Sequence, residues 1–154
     1  RSSLALQAFK NTAAAPANLG SWRGQGTVLV VEDEDAIRTF TQAVLNRMGF
    51  RTLMAENGRR ALDLFQAHQF ANHLSEQDRI VCVLLDLTMP HMGGDEAYRA
   101  LRAMQRDLRI IVTSGHSEQD VAPRFASKPF TSFLLKPYRP DDLRAALYAI
   151  LKNA

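Results

Sequence analysis

Short apolar runs alternate with helical patterns along most of the chain. Strand-like runs are TVLVVE, FRTLMA, VCVLL, RIIVTS and TSFLL. Between the first two runs, apolar residues recur at helical spacing, and they include Ala36, Phe40, Val44 and Met48. Short strand–helix repeats require a parallel sheet with right-handed crossovers and helices on both faces. The pattern therefore predicts an α/β fold, a doubly wound sheet of five parallel strands with five helices.

The first 26 residues lack this alternation. LALQAF is compatible with a short helix, and AAAPANLGSWRGQG is typical of a linker because it is small, bears Gly and Pro, and has no apolar periodicity. We therefore predict a linker or N-terminal extension over residues 1–26 and one domain over residues 27–154. Trp22 could pack on a surface or be exposed. The chain begins with Arg1 rather than Met, which indicates a piece of a longer protein or a processed chain.

Composition narrows the class of protein. The chain has 154 residues, of which 46% are hydrophobic and 23% charged, as expected for one globular domain with a sizeable core. Its formal net charge of +3 is too small to indicate nucleic-acid binding by itself. No apolar run approaches the roughly 18 residues of a membrane span. The single cysteine, Cys82, falls inside an apolar run and fits a small buried hydrophobe in a reducing, cytoplasmic setting.

One carboxylate stands at the end of the central apolar run. Val81 to Leu85 form a run that is typical of a strand buried on both faces, and Asp86 follows it directly. The carboxyl edge of a parallel sheet is where open α/β folds place their binding sites. Asp86 could instead only cap the next helix, after the loop marked by Pro90, Gly93 and Gly94.

Three further strand ends carry polar side chains. Glu32 and Asp33 follow the first strand, Ser114 ends the fourth and Lys136 follows the fifth. Each is unremarkable alone, as a helix cap or a strand-end turn, but in a doubly wound sheet these ends share one edge. Crowded carboxylates favour a cation, and hard oxygen ligands suit Mg²⁺, which binds one or two carboxylates plus phosphate oxygens. Together the groups predict a site for a phosphoryl group, with a carboxylate as nucleophile.

At this point the sequence resembles a known family, the response-regulator receiver domains. VLVVEDE resembles the first-strand acidic motif, LLDLTMPHMGG the phosphoacceptor segment, IIVTSGH the switch-hydroxyl strand and FLLKPY the lysine–proline strand end. The resemblance covers residues 27–152 and implies the flavodoxin-like (βα)5 fold. The stretch RFASKPFTSFLLKPYRPDDL resembles receivers attached to hybrid sensor histidine kinases.

The resemblance implies a role for each site residue. Asp86 would be phosphorylated by a phosphohistidine donor, a histidine kinase or a histidine phosphotransfer domain. Asp33 and Asp86 would bind Mg²⁺ directly, together with the backbone carbonyl of Thr88, and Glu32 would act mostly through water. Lys136 would pair with the phosphoryl group. Phosphorylation and dephosphorylation would be self-catalysed.

The resemblance also implies a switch. Ser114 would bond the phosphoryl group, and Phe133 would occupy the aromatic switch position. Thr88 and His116 would tune the rate of dephosphorylation. No direct contact with nucleic acid or membrane is expected, and a dimer is left open.

Two features depart from the family pattern. The acidic pair is Glu32-Asp33 rather than the commoner Asp-Asp, which could alter Mg²⁺ geometry. Pro123 falls within the helix expected over residues 117–127, where proline costs about 3 kcal/mol through a lost hydrogen bond and a clash. That helix belongs to the face that the family uses for signalling.

Three other functions remain open from sequence. A flavodoxin-like cofactor binder would need a Gly/Ser/Thr-rich phosphate loop after the first strand, where this chain has Glu32 to Asp35. A metal-dependent aspartyl phosphatase usually has a second Asp two residues beyond the nucleophile, where this chain has Thr88. A receiver-like interaction domain that is never phosphorylated would not need the complete acidic set.

Overall fold

The computed structural model describes residues 19–71, 74–89, 93–115, 118–125 and 127–152. These residues form one five-stranded parallel sheet with the strand order β2-β1-β3-β4-β5. The strands are β1 Thr27–Val31, β2 Arg51–Ala55, β3 Ile80–Asp86, β4 Arg109–Ser114 and β5 Thr131–Leu135. The predicted doubly wound α/β fold is confirmed.

Five α-helices alternate with these strands in the described part of the chain. They are α1 Asp35–Arg47, α2 Gly58–Gln69, α3 Gly94–Met104, α4 Glu118–Phe125 and α5 Pro140–Leu151. The amide of Arg60 donates to Asn57 Oδ1 at 2.8 Å, which caps α2, and α5 begins at its proline. Helix α4 contains Pro123, as the sequence predicts, and residue 127, the last of the expected range 117–127, lies outside it.

Alternate residues of each inner strand pack into two cores on opposite faces of the sheet. Leu29 and Leu85 face the core that α2, α3 and α4 cover, whereas Val30 and Leu84 face the core that α1 and α5 cover. Cys82 lies wholly buried in the second core, and burial raises the pKa of its thiol to about 12. It is therefore the small buried hydrophobe that the sequence predicts.

Residues 19–26 lie against the domain. Trp22 packs edge-on against Phe50 and Tyr148, with ring centroids 6.0 and 5.5 Å away. A guanidinium N–H of Arg144 donates to the Trp22 carbonyl at 3.2 Å, and the amide of Gly24 donates to the Met48 carbonyl at 2.8 Å. This answers the question that the sequence leaves open for Trp22. None of the described helices has the length and apolar character needed to span a membrane.

Candidate functional site

The register of the sheet brings the predicted residues to one edge. Val31 of β1 pairs with Leu85 of β3, so Glu32 and Asp86, the next residues, leave neighbouring strands at the same level. On the other side of β3, Asp86 pairs with Thr113, the residue before Ser114. The amide that follows β5, that of Lys136, donates to the Ser114 carbonyl at 2.9 Å. All four strand ends that the sequence singles out therefore converge.

Three carboxylates form a cluster at this edge. One carboxylate oxygen from each of Glu32, Asp33 and Asp86 lies within 4.8 Å of the other two. Glu32 and Asp86 are only 3% and 1% exposed, whereas Asp33 is open to solvent. Mg²⁺ prefers oxygen donors and keeps several waters, so two buried carboxylates with an exposed third match its requirements. The donor set thus fits the cation that the sequence predicts.

Lys136 is the cation that faces both buried carboxylates in the described part of the site. Its ammonium Nζ lies 3.2 Å from Glu32 Oε1 and 3.4 Å from Asp86 Oδ2. Burial opposes the charged ammonium, but the charges of Asp86 and Glu32 outweigh it and raise the pKa of Lys136. Lys136 therefore stays positively charged in its partly buried position.

The ionised form of Glu32 is disfavoured in this arrangement. Burial and the neighbouring charge of Asp86 raise its pKa from 4.5 to about 7, although Lys136 and a hydrogen bond from the Glu34 amide act in the opposite direction. A carboxylate held in this way is destabilised at neutral pH unless a further cation approaches it. The site is thus built with more negative charge than its lysine neutralises.

Thr88 orients the proposed nucleophile. Its amide and its hydroxyl donate to Asp86 Oδ1 at 3.1 and 3.0 Å, whereas Asp86 Oδ2 faces Lys136. The two carboxylate oxygens therefore have different surroundings, one hydrogen-bonded by the following turn and one beside the ammonium. The expected coordination by the Thr88 carbonyl remains a prediction, and His116 lies outside the described residues.

The two expected switch residues lie on adjacent strands. Ser114 ends β4 and is wholly buried, and Phe133 of β5 pairs with Val112, two residues earlier on β4. The ring of Phe133 is half-buried against the core that α2, α3 and α4 cover. The structure thus places Ser114 on the strand next to β3 and Phe133 on the strand beyond it, and their switching roles remain predictions.

Sequence reasoning missed a buried hydroxyl pair beneath the site. The hydroxyls of Tyr138 and Thr41 lie 2.8 Å apart, and the bond joins the segment after Lys136 to α1. Burial raises the pKa of the Tyr138 phenol to about 12, so this phenol remains protonated at neutral pH. A polar Thr41 on the apolar stripe of α1, between Ile37 and Leu45, is the signal that could have revealed it.

The arrangement of these side chains could form an acyl phosphate. A buried carboxylate with one oxygen beside an ammonium can act as a nucleophile toward phosphorus, since the same ammonium can stabilise the added negative charge. The cluster supplies oxygen donors for a divalent cation on the exposed side. A hydroxyl-bearing strand end, Ser114, adjoins the nucleophile. These are the parts of an acyl-phosphate site.

A family model and several known proteins match the sequence of this chain. The family model of the response regulator receiver domain matches residues 28–148. Sporulation initiation phosphotransferase F of Bacillus subtilis is 28% identical over 128 residues, which are 82% of this chain and 95% of that protein. Response regulator MprA of Mycolicibacterium vanbaalenii is 30% identical over 126 residues, which are 82% of this chain and 50% of that protein. The match thus spans about half of that regulator.

Solved structures agree with the fold. Chemotaxis protein CheY4 of Vibrio cholerae superposes with a TM-score of 0.70 at 25% identity, over 83% of this chain and 100% of that one. Response regulator protein TrrA of Thermotoga maritima, solved in complex with Mg(2+)-BeF, superposes with a TM-score of 0.67 at 26% identity, over 82% of this chain and 100% of that one.

Proposed function

Because the chain belongs to the response regulator receiver domain family, we propose that it accepts a phosphoryl group on Asp86 in a two-component phosphorelay. The observation that carries this proposal is the position of the Lys136 ammonium, which pairs with both Glu32 and Asp86. Asp86 is the buried last residue of β3. The family supplies the reaction class, and the geometry supports Asp86 as the nucleophile among the three carboxylates because it alone is both buried and central in the sheet.

The positions of the side chains support the following transfer step. Asp86 Oδ2 forms the new O–P bond while the bond from phosphorus to the donor's histidine nitrogen breaks, and that nitrogen keeps the electron pair. Lys136 balances charge on the phosphoryl oxygens, and the Thr88 bonds keep Asp86 Oδ1 from rotating into the path. Mg²⁺, held by Asp33 and Asp86 with Glu32 nearby, would supply positive charge to the same oxygens.

The output is a shift between two conformations. A phosphoryl group adds about −1.5 to −2 charge and strong acceptor oxygens. The hydroxyl of Ser114 reaches those oxygens only if its loop moves, and the movement makes room into which Phe133 can rotate. Pro123 loosens α4 because it removes a backbone donor from the helix interior. The bistable element would be β4 and β5 with the helices beside them.

The phosphohistidine donor would be a histidine kinase or a histidine phosphotransfer domain. The chain would work in the cytoplasm as part of a hybrid histidine kinase, a context supported by the resemblance of residues 124–143 to hybrid-kinase receivers. Among the alternatives, an aspartyl phosphatase is disfavoured. That class usually has an acid two residues beyond the nucleophile, but this chain has Thr88 there, and its hydroxyl donates to Asp86 Oδ1.

Intact-mass spectrometry tests the proposal. The protein is incubated with Mg²⁺ and acetyl phosphate, and the wild type is expected to gain one phosphoryl group. Asp86→Asn removes the nucleophile and should gain none, whereas Glu34→Gln changes an exposed neighbouring carboxylate and should gain it normally. Gain by Asp86→Asn at the wild-type rate would refute the assignment. No gain by the wild type would favour the interaction domain that is never phosphorylated.

A further inference from the structure

A basic groove lies between α3 and α4, and its lining residues include none of the three clustered carboxylates. Its volume is about 460 Å³, and it is lined by Asp95, Tyr98 and Arg99 of α3, Arg124 and Phe125 of α4, and Lys128 after α4. Three of these six side chains are cationic and one is anionic. The chain carries an excess of three positive charges overall, so this groove concentrates much of that excess in one place.

Aromatic rings form the floor of this groove and hold its cations. Tyr98 and Phe125 are only 6% and 3% exposed and pack edge to face, with ring centroids 5.2 Å apart. Lys128 Nζ lies 5.9 Å from the centre of each ring, and the guanidinium of Arg124 lies 5.4 Å from that of Phe125. Cation–π contacts of this kind hold charged groups over a ring without neutralising them.

Asp95 neutralises one of the three cations of the groove. Its carboxylate pairs with the guanidinium of Arg124, and both side chains are about half exposed. The exposed side chains of Arg99 and Lys128 have no carboxylate partner among the described residues that line the groove. An incoming carboxylate would therefore find two cations directly and would compete with Asp95 for the third.

We propose that the α3–α4 groove binds an acidic segment of a protein partner. Charge complementarity favours an anionic occupant. The floor disfavours a nucleotide, because the faces of Tyr98 and Phe125 are buried and already carry cations, which leaves little ring surface for a base to stack on. The cations stand on two helices and the segment after them, which suits several carboxylates along a peptide better than one small anion.

The groove is present in the unphosphorylated protein, so peptide binding to it can be measured without phosphorylating Asp86. The result is therefore independent of the proposed phosphorylation. Fluorescence anisotropy of a labelled hexaglutamate peptide is recorded at low salt, with a hexaglutamine peptide as the uncharged control. Arg99→Gln combined with Lys128→Gln should weaken hexaglutamate binding roughly fivefold or more, because the two cations without a carboxylate partner in the groove are lost. Asp95→Asn should tighten binding because it removes the competing carboxylate.

The matched control removes the same charge elsewhere. Arg59 and Arg60 are exposed on α2, and Arg59→Gln with Arg60→Gln should leave the affinity within about twofold of the wild type. An equal loss in both double variants would mean a general attraction to a basic protein and would overturn the proposal. So would displacement of the peptide by inorganic phosphate at equal ionic strength, which would identify a small-anion site. Weaker binding by Asp95→Asn would also contradict it.

Discussion

Glu32 makes the metal-free domain less stable as the pH rises. Its pKa is about 7 in the folded protein against 4.5 without the surrounding structure, and burial followed by the charge of Asp86 are the causes. In the folded state the carboxyl therefore retains its proton between these two values, while the unfolded chain has lost it. The sign follows from linkage: the contribution to stability is fully present below pH 4.5 and is lost as the pH rises through 7.

The size of the loss can be worked from that difference. A shift of roughly 2.5 pKa units at 1.36 kcal/mol per unit amounts to about 3 kcal/mol in the free energy of unfolding. Glu32→Gln keeps the size of the side chain and an acceptor oxygen for Lys136 but cannot ionise. Compared with this variant, the wild type should lose about 2–3 kcal/mol between pH 4.5 and pH 8 in EDTA.

Urea denaturation of both proteins across this pH range measures the effect, and the difference between them removes titrations that they share. Glu34→Gln is the control, because Glu34 is exposed and its neutralisation should leave the pH dependence of the wild type unchanged. Saturating Mg²⁺ should narrow the gap at pH 8, since a bound cation offsets the charge of Glu32. A difference between wild type and Glu32→Gln that stays flat with pH would refute this account of the site.

Three further predictions follow from the site. Gly94→Ala should lower the free energy of unfolding, measured by urea denaturation, by about 1–3 kcal/mol and should slow phosphorylation, because the added Cβ would lie 2.4 Å from the Cα of Leu87. Gly93→Ala is the control and should lower it far less, because a Cβ there meets nothing within 4 Å. In calorimetric titrations with Mg²⁺, Asp33→Ala should lose more affinity than Glu32→Ala, and equal losses would argue against direct coordination by Asp33. Beryllofluoride should change amide-exchange protection around β4 and β5, less so in Ser114→Ala; changes confined to the β1–α1 loop would contradict the switch.

The sequence was sufficient for the sheet because β1, β3 and β4 each contain a continuous apolar run, and the site residues stand at or just after the ends of their strands. Asp86, Lys136 and Ser114 could be placed together from strand order alone, since the carboxyl ends of parallel strands share one edge. Local pattern could thus predict both the fold and the members of the site.

Contacts between distant segments could not be predicted in the same way. The hydroxyl pair of Thr41 and Tyr138 joins residues 97 positions apart, and no motif of the sequence includes Thr41. Trp22 packs on Phe50 and Tyr148 although its surroundings resemble a linker, because ring contacts depend on residues that lie far apart in the sequence. The pKa of Glu32 likewise depends on burial, which sequence does not report.

Chemical mapping of the phosphorylated residue tests the central claim most directly. After incubation with Mg²⁺ and acetyl phosphate, borohydride reduces an aspartyl phosphate to homoserine, which tandem mass spectrometry of peptides can locate. We expect homoserine at Asp86 and unmodified aspartate at Asp33. Homoserine at Asp33, or phosphoryl mass without any homoserine at Asp86, would contradict the assignment of Asp86 as the phosphoacceptor.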